Sequence, residues 1–133
     1  MSIVKETEKF ELKHKIISLI GIIILTIGVT RLLTWINDPN LIIHGYELHH
    51  FYYGVILLLM TSIFMLFGKK HLRVYLTLTA ISAGLIIDEF LYVAGGFGNT
   101  QKYMSTLPSA LVFTTIILAI VLIVYYFFGK HKK

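Results

Sequence analysis

Three imidazoles and a carboxylate fall within seven residues, His44-Gly45-Tyr46-Glu47-Leu48-His49-His50, of a chain that is otherwise mostly hydrocarbon. A second cluster, Asp88-Glu89, is set in the apolar run from Leu85 to Leu91. Imidazole and carboxylate together suit iron, manganese or zinc. The same groups can also carry protons, because histidine titrates near neutral pH. On a helix, Glu47 and His50 have the Glu-x-x-His spacing that presents both ligands on one face, as in carboxylate-bridged di-metal bundles. The expected metal set is therefore Glu47, His50, Asp88 and Glu89 with His49 and His44, supported by Arg31, Tyr53, Tyr92 and Gly54. No catalytic residue or substrate follows from these types and spacings, so whether the protein is an enzyme stays open.

The elements that position these groups are membrane spans. Of the 133 residues, 56% are hydrophobic and 14% charged, and the mean hydropathy is +0.79, far from a soluble composition. Without cysteine, disulfides, thiolate metal sites and Cys nucleophiles are excluded. Four apolar runs, at about 16–36, 48–67, 72–94 and 108–128, each approach the roughly 20 residues that cross a bilayer. Asn37-Asp38-Pro39-Asn40, the Gly68-Lys69-Lys70 turn and the Gly95-Gly96-Phe97-Gly98 stretch separate them. Gly21 and Gly28, seven residues apart, predict close packing on the first span. The expectation is an all-α, four-transmembrane-helix bundle forming one membrane domain over 1–133, with outer loops at 37–47 and 95–107.

Charge sets the orientation. Lys5, Lys9, Lys13 and Lys15, then Lys69, Lys70 and Arg73, then Lys130, Lys132 and Lys133 all belong to one end of such a bundle, leaving only Arg31 and Lys102 for the other. The bias places both termini in the cytoplasm of a multi-pass cell-membrane protein. The net charge of +5 does not indicate nucleic acid, since the basic residues flank apolar runs rather than forming a soluble face. The partner it implies is the lipid bilayer, with a homo-oligomer as a further expectation.

With that orientation, Arg31, the His-rich stretch and Asp88-Glu89 share the outer half. Asp88 lies about 9 Å below the end of its span at 1.5 Å per residue. Acids at that depth should face the protein interior. Thr77, Ala80, Gly84 and Asp88 follow one helical face, and Glu89 is turned about 100° away, so the pair can reach two neighbours. Three readings stay open: a metal site, a proton or ion relay in an oligomeric channel or transporter, and a structural interaction subunit whose polar network sets helix register. His14, His71 and His131 read as interfacial residues. Tyr46, Tyr52, Tyr103 and Trp35 read as an aromatic belt.

The pairing of Leu48-His49-His50-Phe51-Tyr52-Tyr53-Gly54 with Gly84-Leu85-Ile86-Ile87-Asp88-Glu89-Phe90 resembles a loose group of small, functionally uncharacterised prokaryotic integral membrane proteins. These have a His-His motif with a following Gly on one span and Asp-Glu on the next. The resemblance implies a common site at His49, His50, Gly54, Asp88 and Glu89, and no activity.

Overall fold

A computed structural model describes residues 14–36, 41–44, 46–67, 71–95 and 100–130. Helix α1 runs Lys15–Ile36, followed by strands β1 (Leu41–Ile43) and β2 (Tyr46–Leu48), then α2 (His50–Phe67), α3 (Leu72–Ala94), a short α4 (Thr100–Ser105) and α5 (Leu107–Lys130). The fold is an all-α arrangement of four helices long and apolar enough to cross a membrane, with a small hairpin at one end. Helices suit this composition because hydrocarbon offers no partner to a backbone N–H or C=O, so each must be satisfied within its own segment. The few hydroxyls inside the spans follow the same rule. Those of Thr26, Thr34, Thr61, Ser82 and Thr114 each donate to the carbonyl four residues back.

α3 is the central helix, packing against α1, α2 and α5. Its approach to two of them is close because glycine stands at each crossing. A Cβ on Gly84 would lie 2.8 Å from Cβ of Thr26 on α1, and one on Gly54 of α2 would lie 2.9 Å from Cγ1 of Ile86 and Cβ of Leu85. Ile23, Ile27, Ala80 and Ile87 form the buried apolar cluster, flanked by Phe113 and Ile117 of α5. The expected close packing at Gly21 and Gly28 is not found, since nothing lies within 4 Å of a Cβ built at either. Both glycines sit on the outward face of α1, turned from the α3 contact.

The two connections expected as outer loops hold more structure than loops. At 41–48 the chain forms an antiparallel hairpin with Ile43 opposite Tyr46 and Leu41 opposite Leu48. His44, which begins the connection, has φ 51°, as a two-residue hairpin turn of the primed type demands. Within 95–107 lies α4, and Pro108 then sits in the first turn of α5, where its missing N–H has no helical acceptor to lose.

Candidate functional site: a clamp of two acids

Helical geometry decides where the two acids point. Successive residues are about 100° apart, so the Asp88 and Glu89 side chains leave α3 toward different neighbours. Both are buried, at 1% and 3% exposure.

Asp88 faces α1 and α4. Its Oδ1 accepts from Nε of Arg31 at 2.7 Å, its Oδ2 from the Thr30 hydroxyl at 3.2 Å, and the Tyr103 hydroxyl donates to the same Oδ2. Arg31, itself 7% exposed, uses its remaining donors on carbonyl and hydroxyl oxygens. Nη1 donates to the Tyr103 carbonyl at 3.0 Å, and Nη2 to the Asp88 carbonyl at 3.3 Å and to Oγ1 of Thr106 at 3.4 Å. The guanidinium also stacks over the Tyr103 ring, 4.2 Å from its centroid, a favourable cation–π placement. Burial, then the Asp88 charge and hydrogen bond, push the Tyr103 phenol well above its ordinary value of 10.0. It remains a proton donor.

Glu89 faces the start of α2. Its Oε2 accepts from the Phe51 backbone N–H at 2.6 Å, one of the four donors that a helix N-terminus cannot satisfy internally. Its Oε1 lies 3.3 Å from Nδ1 of His50 and 4.0 Å from Nδ1 of His49. A carboxylate here is favoured twice, by the orphan N–H groups and by the helix dipole. A run of rings links the two halves. His49 meets Tyr92 edge-on at 5.2 Å, Tyr92 meets Tyr103 edge-on at 5.5 Å, and Tyr103 carries Arg31.

Of the residues singled out in the sequence, Arg31, His49, His50, Asp88, Glu89 and Tyr92 come together here. Gly54 acts one turn along α2, where its missing side chain admits α3. Tyr53 has its ring 6.4 Å from that of His50 and is 37% exposed. The shared helical face of Glu47 and His50 does not form. Glu47 belongs to β2 and α2 begins only at His50, because the segment pairs with β1 instead of extending the helix; the Glu47 side chain lies outside the described residues. His44 is exposed on the hairpin turn. Among the described residues, no three His, Asp or Glu side chains are grouped so as to hold a metal ion. Asp88 is engaged by Arg31, Thr30 and Tyr103, and one oxygen of Glu89 by a backbone N–H.

Sequence reasoning missed Thr30, Tyr103 and Thr106. Tyr103, read as part of the aromatic belt, is 3% exposed and bonded to Asp88. The available signal was Arg31, a fork of donors that one carboxylate cannot satisfy, which required further acceptors from a connection.

The chain matches no protein-family model, no curated protein and no solved structure.

Proposed function

We propose that this multi-pass membrane protein is a structural interaction subunit, in which the Arg31–Asp88 pair and Glu89 fix α1, α2 and α3 beside a platform made by the β1–β2 hairpin and α4. The orientation that goes with this reading puts both termini in the cytoplasm and the platform outside, as the segregation of basic residues favours. The observation that carries it is the division of labour between neighbouring acids. Asp88 holds α1 and α4 to α3, while Glu89 holds the entry of α2. Consistent with a clamp, among the described residues every buried side-chain nitrogen or oxygen has a hydrogen-bond partner. The deciding experiment replaces the ion pair whole, as Arg31→Met with Asp88→Leu, and asks whether the variant complements a deletion strain. A double variant that folds with wild-type melting temperature and complements supports the clamp. One that folds equally well but fails to complement shows that the charges act chemically, and removes this reading.

One observation favours proton exchange as a second reading. Glu89 is buried, yet the side chains of its partners His49 and His50 keep 15% and 16% exposure, so imidazole is placed between the surface and a carboxylate inside the span. Proteoliposomes under a pH gradient test it. A flux abolished by Glu89→Gln supports exchange, and a flux absent in wild type or unchanged by that substitution removes it.

A further inference from the structure

We infer that the hold of Glu89 on the entry of α2 is a pH-operated latch, tightened when His50 takes up a proton and slackened when it loses one. The inference rests on the clamp reading above and names what regulates it. The two acids differ in the permanence of their counter-ions. Asp88 is balanced by Arg31 at 2.7 Å, and a guanidinium keeps its charge throughout the range in which proteins stay folded. Glu89 is 3% exposed, and its ion-pair partners among the described residues are imidazoles, His50 at 3.3 Å and His49 at 4.0 Å. Imidazole gains or loses its charge between about pH 5 and about pH 8. One half of the clamp is therefore fixed and the other half titrates.

The groups gathered around Glu89 leave the imidazoles as the ones that change in that range. α2 supplies His50, the Phe51 N–H at 2.6 Å, and Tyr53, whose ring lies 6.4 Å from that of His50. Just before α2, His49 stacks with Tyr52 and meets Tyr92 of α3 edge-on. Tyr103 of α4 donates to Asp88, and Arg31 of α1 is paired there too. Phenols and guanidinium groups do not titrate near neutral pH. With His50 neutral, Glu89 is a carboxylate inside the bundle held by neutral donors. With His50 protonated, their contact becomes a charge-assisted hydrogen bond, roughly twice as strong as a neutral one, and the buried charge is balanced. The proton has a short way to come, since the side chains of His49 and His50 keep 15% and 16% exposure. β2 ends at Leu48 and α2 begins at His50, so the hairpin joins the bundle beside this contact, and the latch governs how firmly the platform is held.

Amide hydrogen exchange of the full chain in nanodiscs tests the latch, read by NMR with a chelator present and corrected for base catalysis of the intrinsic rate. Protection of the Phe51 amide should fall on the order of fivefold between about pH 5.5 and about pH 8. That of Thr34, on α1 beside the Arg31–Asp88 pair, should stay constant. His49→Gln combined with His50→Gln should abolish the pH dependence and leave protection at the weaker value, and Glu89→Gln should abolish it as well. Constant, high protection of Phe51 in wild type overturns the latch and leaves the clamp standing. Wild-type protection no greater than that of Glu89→Ala at every pH removes the Glu89 contact itself, and with it both the latch and the clamp at α2. A pH dependence that survives in the double histidine variant also overturns the latch, because some other group then titrates.

Discussion

The clamp end and the middle of the bundle hold their helices by different means. At the clamp, charge and hydrogen bonds tie α1, α2, α3 and α4 together through two adjacent acids. In the middle there is little to bond, and α3 approaches α1 and α2 through the absence of side chains at Gly84 and Gly54. Both devices answer one condition. Lipid tails are as apolar as leucine, so burying Ile or Leu between helices gains little over leaving it in the bilayer. Helix association must come from polar contacts or from close van der Waals packing. α2 and α5 accordingly expose most of their apolar surface, which in a bilayer is ordinary contact with lipid.

Removing one partner of the clamp should give the largest effect. Asp88→Leu strands the Arg31 guanidinium and is expected to cost about 3 to 5 kcal/mol. Adding Arg31→Met should recover most of that loss, read as melting temperature in nanodiscs. A double variant no more stable than the single one would contradict the assignment of the pair as a clamp. Overfilling the middle should cost less. Gly84→Leu and Gly54→Leu each force helices apart at contacts below 3 Å and should lose about 1 to 3 kcal/mol. Gly21→Leu and Gly28→Leu, with open space around them, should change stability by less than about 0.5 kcal/mol. Equal losses at all four glycines would mean that α1 packs through its other face.

A smaller effect is expected at Tyr103. Tyr103→Phe removes one hydroxyl from Asp88 and should cost about 1 kcal/mol. The same residue sets an alkaline limit. Its phenol holds its proton in the folded protein above the ordinary value of 10.0, so that contribution is complete below pH 10. It is then lost as pH rises, because the unfolded chain releases the proton first. The fall in melting temperature between about pH 9 and pH 11 should be shallower in Tyr103→Phe. The smallest expected response is to metal. Zinc or iron(II) added in weak buffer should release less than about a tenth of a proton per chain. Stoichiometric release abolished by His50→Ala would instead restore the His/carboxylate set as a metal site.

Run length, hydropathy and turn residues were enough to place the four spans, since a backbone in hydrocarbon has few options besides a helix. The place of Asp88 and Glu89 near the end of α3, and the 100° between them, also followed from sequence, because helical periodicity converts residue number into position along the helix and direction. Facing was another matter. Gly21 and Gly28 are spaced as an interface and meet no other helix of this chain, since a glycine pattern marks a smooth face without saying which helix comes to meet it. The Glu47–His50 spacing was sound only if residue 47 is helical, and pairing with β1 took that segment into a hairpin. Tyr103 could not be read from its neighbours either, for it lies 72 residues from Arg31 and its partnership exists only once α4 folds across the bundle end. Local chemistry and period thus determined which groups lie on the apolar helices and how neighbouring ones diverge. Only the tertiary structure decided their partners, because a buried ion is held by whichever element packing brings within hydrogen-bond reach.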